Sequence, residues 1–152
     1  MRIICCGTPY RGDDCAGLLV AERLHQLDIE VSTCTGEATD LLLAMERAEE
    51  VLIVDAVITG APAGTICEWH DGASEFQLNS PTTHALGVAE GIALARALGK
   101  RPERLHIYSI EARTFEVGHE TSVEVVQAAD ELANRIASLI RSPRAATTLN
   151  AH

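Results

Sequence analysis

Three residues stand where carboxylates and imidazoles can do chemistry. Asp14 closes the loop Gly7-Thr8-Pro9-Tyr10-Arg11-Gly12-Asp13-Asp14, Asp55 ends the apolar run Val51-Leu52-Ile53-Val54, and His84 follows Ser80-Pro81-Thr82-Thr83 at the start of a helical pattern. Two oxygen donors and one neutral imidazole, with coordination positions left open, suit a borderline first-row divalent cation. Such a donor set does not select one metal, because affinity follows the general order that ranks nickel and copper above manganese and iron. A helix N-terminus disfavours an imidazolium and so keeps His84 able to coordinate. Each residue also has a plain structural use. Asp13 and Asp14 can cap a helix and meet the positive end of its dipole. Asp55 can bond to loop amides, although a carboxylate closing a buried strand is costly unless paired, capped or coordinated. His84 can be a packing residue behind a Thr82 or Thr83 cap.

Other chemistries fit less well. Glycines between a strand and a helix can cradle a phosphate, but a phosphate loop offers Lys and then Ser or Thr after its second glycine, and a dinucleotide loop needs GxGxxG. Here two carboxylates occupy the place of the anion. Cys67-Glu68-Trp69-His70 has C-x-x-H spacing, yet on a strand its ends point to opposite faces and no second pair exists for zinc. Cys15 lies near the crevice, but the neighbouring carboxylates disfavour the thiolate that a Cys-His hydrolase needs. No GxSxG elbow or HExxH helix is present. Glu37, Asp40, Glu111 and His119 are titratable and could line the opening, with a solvated surface as the default reading for each.

The elements that must position these residues follow from the apolar periodicity. Arg2 to Cys6 reads as a strand stopped by Gly7, and Ala16, Leu19, Val20, Leu24 and Leu27 recur at helical spacing. Ile29 to Cys34 alternates as a strand does, and Asp40 to Ala48 reads as a short helix. The continuous run Val51 to Val54 is that of a central parallel strand covered on both faces. Thr65 to Trp69 makes another strand after the turn-rich Gly60-Ala61-Pro62-Ala63-Gly64. A loop from Asp71 to Thr83 precedes a helix from His84 to Leu98. Leu105 to Ile110 forms a further strand, and Val125 to Leu139 is the cleanest amphipathic helix in the chain. This alternation describes one three-layer domain over residues 1–141, with helices on both faces of a sheet, and a flexible tail over residues 142–152. In such folds ligands sit beyond the carboxyl ends of the strands, where strand order switches. Asp14 and Asp55 fall at such ends.

Composition narrows the partners. At 152 residues, 47% hydrophobic and 22% charged, the chain is long enough for a real core without disulfides or a structural metal. Twelve Lys and Arg against 22 Asp and Glu give a net charge of -10 with no basic stripe, which disfavours nucleic acid and anionic membranes. Four apolar residues before Gly7 are too few for a signal-peptide core or a membrane span, so the reading is of a cytoplasmic protein, and a monomer is expected. The five cysteines (Cys5, Cys6, Cys15, Cys34, Cys67) are an odd number without CxxC spacing and read as buried reduced thiols.

Taken together, the sequence resembles the hydrogenase maturation endopeptidases over Arg2 to about Ile140. The family opens with a strand and then Gly-Asn-Pro-Leu-Arg-Gly-Asp-(Asp or Glu)-Gly-x-Gly. This chain has Gly7-Thr8-Pro9-Tyr10-Arg11-Gly12-Asp13-Asp14-Cys15-Ala16-Gly17. The family's Val-Asp-Ala appears as Val54-Asp55-Ala56, and the His of its Ser-x-His-x-Leu-Gly is found as His84 in Ser80-Pro81-Thr82-Thr83-His84-Ala85-Leu86-Gly87, where Thr82 stands at the Ser position. Ile110-Glu111-Ala112 through Phe115-Glu116-Val117-Gly118 is similar to the family's last strand and following turn. Thr8 replaces the usual Asn, Cys15 a common Gly, and Thr35 to Asp40 matches the Gly-rich substrate-recognition loop only in part. The resemblance implies an α/β/α domain with a mostly parallel five-stranded mixed sheet. It also implies a protease that trims the C-terminal extension of a nickel-iron hydrogenase large-subunit precursor. Asp14, Asp55 and His84 would be both the metal ligands and the catalytic residues, the nickel would be carried by the substrate, and no nucleophilic Ser or Cys would be needed. A non-catalytic module that checks the immature subunit for nickel is the alternative from another class.

Overall fold

The structure, a computed structural model, describes residues 1–70 and 83–142, with side chains for 1–69 and 87–142. In chain order the elements are β1 (Arg2–Cys6), a single 3-10 turn (Gly12–Cys15), α1 (Ala16–Gln26), β2 (Ser32–Cys34), α2 (Ala38–Met45), β3 (Glu50–Val57), β4 (Ile66–His70), α3 (Thr83–Ala97), β5 (Arg104–Glu111) and α4 (Val123–Arg141). The strands form one five-stranded sheet in the order β2-β1-β3-β5-β4. All neighbours are parallel except β4, which runs antiparallel on the outer edge of β5.

Strand periodicity sorts the side chains onto two faces. Leu52, Val54 and Ala56 of β3 pack with Ile3 and Cys5 of β1, Tyr108 and Ile110 of β5, and the apolar stripes of α1 and α4, among them Val20, Leu24, Leu132 and Ile136. Val51, Ile53 and Val57 join Ile4, Cys6, Leu105 and Ile107 beneath α2 and α3, whose Leu41, Met45, Val88 and Ile92 complete the second core. All eight β3 residues are buried, as expected of a strand covered on both sides. The three-layer expectation therefore holds, and Asp55 falls on the α2/α3 side.

Boundaries differ where local hydrogen bonding outcompetes pattern. The strand expected over Ile29 to Cys34 begins only at Ser32. Asp28 takes a left-handed conformation (φ +60°), while the Ile29 amide donates to Leu24 O at 2.9 Å and the Asp28 amide to His25 O at 3.0 Å. This Schellman closure uses the amides of these two residues to satisfy carbonyls at the end of α1, while Ile29 still packs into the first core beside Leu24. The short helix expected over Asp40 to Ala48 is shifted toward the N-terminus by two to three residues, and the long helices differ by a residue or two at each end. The loop expected over Asp71 to Thr83 lies, up to residue 82, outside the described residues, and so does the tail from residue 143 onward.

The chain leaves β1 through α1 to reach β2 on one side, and then passes through α2 to β3 on the other. The strand order thus reverses between β1 and β3, which opens a crevice at their carboxyl ends. Close approach of α1 to β1 defines one wall of it: a Cβ built on Gly17 would stand 2.1 Å from the Cys6 carbonyl oxygen. The Cβ position is fixed by the Gly17 backbone and its partner is a backbone oxygen, so neither can turn aside. Gly17→Ala is expected to lose roughly 3 kcal/mol or more of unfolding free energy, measured by urea denaturation. The same change at Gly99, where a Cβ meets nothing within 4 Å, should cost only the strain of its positive φ.

Candidate active site

The first loop is drawn shut by its own backbone. The Gly7 amide donates to Cys34 O at 3.0 Å, the Thr8 amide to Asp14 O at 3.1 Å and the Asp14 amide to Arg11 O at 3.0 Å. Gly12 adopts φ +55°, and a Cβ there would meet Thr114 O at 2.6 Å, so only glycine serves at this turn. Asp13 and Asp14 follow at once, and both are fully buried.

The adjacent carboxylates do different things. Asp13 was expected to cap the first helix, but that helix has no side-chain cap, and Asp13 reaches instead to the segment before α4. Its Oδ2 accepts from the Arg113 amide at 2.7 Å and from Ser122 Oγ at 2.8 Å, and its Oδ1 accepts from the Ser122 amide at 2.6 Å. The Asp13 amide donates to Thr114 O at 2.9 Å, so the 3-10 turn is laced to residues 113–122 from both sides of the peptide. Asp14 does not cap the helix either. Its negative charge is one of the causes that raise the pKa of Asp55, which brings the two carboxylates into one electrostatic neighbourhood at the mouth of β1 and β3.

Asp55 is 2% exposed and pairs in register with Ser109 of β5. The Ala56 amide donates to its carboxylate, and its Oδ2 has no hydrogen-bond partner among the described residues. Burial, then the charges of Asp14 and Cys34, push its pKa well above the usual carboxylate range, against the opposing pull of the Ala56 amide. A buried acceptor with an open lone pair beside a second buried carboxylate is a donor set that suits a cation.

His84 is the second residue of α3. Its ring lies outside the described side chains, but its helix is anchored at the same end of the sheet. A Cβ on Gly87, one turn further on, would come within 2.3 Å of Gly36 O, just past the carboxyl end of β2. Two of the three candidate residues therefore lie close enough for the charge of one to act on the other, and the third is placed by its backbone at the start of the helix over the same face. Among the described residues no cluster of three or more His, Cys, Asp or Glu could hold a metal ion.

The remaining candidates find other uses. Glu111 does not line an opening: it is buried, accepts from Thr59 Oγ1 at 2.6 Å and from the Thr59 and Gly60 amides, and so ties down the turn after β3. Asp40 accepts from Thr35 Oγ1 at 2.9 Å on the surface, where Glu37 is also exposed. His119 Nε2 lies 2.8 Å from Glu116 at an exposed turn. Cys67 sits opposite Ser109 in β4, and His70 three residues on is opposite His106, so the C-x-x-H pair is spread along a strand as its periodicity requires. Cys15 Sγ lies 3.0 Å from Thr121 Oγ1. The tie made by Asp13 was not foreseen, and the sequence holds a partial signal for it: two successive acids leaving one turn cannot both face the same partner.

Comparison with known proteins agrees with this fold. A family model described as hydrogenase maturation protease matches residues 21–139. The chain is 25% identical over 133 residues to Protein FrxA of Pyrococcus furiosus, covering 86% of this chain and 97% of that one. The [NiFe] hydrogenase maturation protease HybD from Thermococcus kodakarensis has a similar structure, with TM-score 0.68, 27% identity, and coverage of 90% of this chain and 99% of that one. The hydrogenase maturating endopeptidase HybD from E. coli shares the fold, with TM-score 0.72, 24% identity and 94% of each chain covered.

Two expectations follow from the carboxylates. Asp13→Ala leaves the part-buried Arg113 and Ser122 amides and the Ser122 hydroxyl without their acceptor and should lower unfolding free energy by roughly 3 kcal/mol in urea melts. Asp55→Asn should do the opposite. The pKa of Asp55 is higher folded than unfolded, so the native state favours the protonated form, and the wild type loses stability as pH climbs out of the ordinary carboxylate range near about 4. With chelator present, the variant should therefore be the more stable at neutral pH, and the gap should close on acidification. A variant less stable than wild type at neutral pH would contradict the account of Asp55 as a strained carboxylate.

Proposed function

The chain belongs to the hydrogenase maturation protease family, and on that premise we propose that it is the endopeptidase that removes the C-terminal extension of a nickel-iron hydrogenase large-subunit precursor once nickel has been inserted. The observation that carries this reading is the pairing of Asp14 and Asp55, two buried carboxylates at the switch point of the sheet, one with an oxygen that no described residue satisfies.

In this proposal the nickel is part of the substrate. Asp14 and Asp55 supply hard oxygen donors and His84 an imidazole, and contact with all three seats the loaded precursor so that its extension lies across the crevice. A metal held this way can polarise the scissile carbonyl or lower the pKa of a bound water toward neutrality, which removes the need for a Ser or Cys nucleophile. Precursor without nickel lacks the group the carboxylates would recognise, so cleavage becomes conditional on loading. The work is done in the cytoplasm, by a monomer, on a protein partner; no helix among the described residues is long and apolar enough to cross a membrane.

The intact mass of the precursor after incubation with this protein, in nickel-loaded and nickel-free samples, tests the reading directly. Loss of one C-terminal peptide from the loaded sample only is the expected outcome. Asp14→Asn, Asp55→Asn and His84→Ala should each reduce that loss by at least about a hundredfold while the far-UV spectrum stays native. Binding of loaded precursor with no change in mass would instead favour a non-catalytic nickel checkpoint. Processing by Asp14→Asn and His84→Ala at the wild-type rate would remove the metal-contact mechanism altogether.

A further inference from the structure

Two thiols meet at the carboxyl edge of the sheet, near enough to Asp55 for the charge of Cys34 to act on it. Cys6 ends β1, Cys34 ends β2, and the two strands pair in parallel with Cys6 opposite Cys34. Their Sγ atoms lie 2.9 Å apart, within the reach of a thiol hydrogen bond. Residues opposite one another on neighbouring strands stand at the interstrand spacing of about 4.8 Å, inside the Cα range that a disulfide spans. The other cysteines have no such partner: Cys5 points into the opposite core, Cys15 meets Thr121, and Cys67 lies on β4.

The two members of the pair are unequal. Cys6 is buried and Cys34 is half-buried. Either sulfur can donate in this contact; the hydrogen bond lowers the pKa of Cys34, and the same bond together with burial raises that of Cys6. A half-buried thiol in register with a buried one, at an Sγ separation of 2.9 Å, is an arrangement that thiol exchange can use.

We propose that Cys6 and Cys34 form a redox-reversible dithiol site, closed to an intramolecular disulfide by exchange with a low-molecular-weight disulfide of the glutathione type. The Cys34 thiolate attacks one sulfur of oxidised glutathione, the S–S bond breaks, and one glutathione leaves with the electron pair. Cys6 then attacks Cys34 Sγ in the mixed disulfide and displaces the second glutathione. The protein loses two thiol hydrogens and two electrons, and the oxidant is reduced to two glutathione thiols that carry those protons. Closure shortens the Sγ separation from 2.9 Å to about 2.05 Å, a small movement for two side chains already in register. It ties the end of β1 to the strand that leads through Gly36 into α2, the same Gly36 against which α3 packs.

The test uses the full reduced chain equilibrated with oxidised and reduced glutathione at set ratios, followed by acid quench, alkylation under denaturing conditions and peptide mapping. The expected product has lost two hydrogens in intact mass, carries Cys6 and Cys34 in one linked peptide pair, leaves Cys5, Cys15 and Cys67 alkylatable, and reverts with dithiothreitol. Cys6→Ser should stop at one stable glutathione adduct on Cys34, and Cys34→Ser should gain none at Cys6. If the Cys6→Ser variant fails to fold, the linkage map of the wild type decides alone. Glutathione found on Cys15 or Cys67 with Cys34 still alkylatable, or all five thiols alkylatable at the most oxidising ratio, would overturn the proposal.

Discussion

Two carboxylates held near one another out of water are the constraint around which this domain is arranged. Asp14 and Asp55 repel, and burial penalises the charge of Asp55 further, so their mutual electrostatics oppose folding. The surrounding structure has to hold them there. Asp55 has little freedom because it is part of a strand whose eight residues are all buried, paired along its whole length with β5 and over Val51 to Val54 with β1. Asp14 is held by the 3-10 turn, and that turn is held in turn by Asp13. Stability is spent on a geometry that helps only when a cation arrives, a pattern expected at functional sites rather than in structural cores.

The hydrogen bonds of Asp13 explain how a loop can carry so demanding a group. Its two oxygens accept three bonds from Arg113 and Ser122, residues about a hundred positions later in the chain. The first βα junction and the entry to α4 are thereby welded beside the crevice. Glu111 does similar work on the neighbouring strand, where it satisfies the amides of Thr59 and Gly60 after β3 leaves the sheet. Buried carboxylates therefore play two parts in this protein. Asp13 and Glu111 are saturated with donors and build the frame, while Asp55 keeps an oxygen unsatisfied by any described residue and faces what the frame encloses.

Close backbone contacts give the frame its tolerance. Gly17 lets α1 lie against Cys6, and Gly87 lets α3 lie against Gly36, so a helix is seated on each face at the same end of the sheet. Because both contacts involve carbonyl oxygens, the two helices cannot slide without breaking the packing that aligns the residues between them. The Cys6 and Cys34 thiols lie in this zone, with Cys6 in the second core alongside Ile53 and Val57 of β3.

Periodicity in the amino-acid sequence was sufficient for the layers. The continuous run Val51 to Val54 reads as a strand covered twice, and the apolar stripe of Val125 to Leu139 reads as a helix lying on a core, so the local pattern points to a three-layer domain. Ordered motifs put forward Asp14, Asp55 and His84 as candidates, because residue type at a strand end or helix start is itself a local property. Whether such residues meet, and with which partners, depends on contacts between segments far apart in the chain. Asp13 and Asp14 are adjacent and chemically alike, and only the arrival of Arg113 and Ser122 makes one a structural anchor and leaves the other at the crevice. Glu111, read as a residue near the opening, became a loop tie because Thr59 and Gly60 turn back over it. Cys6 and Cys34 are 28 positions apart with a helix between them, and they touch because parallel pairing sets Cys6 opposite Cys34. Local sequence determines which face and which end each side chain belongs to. Long-range hydrogen bonding and register decide what stands opposite it, since those free energies exist only once the chain has closed on itself.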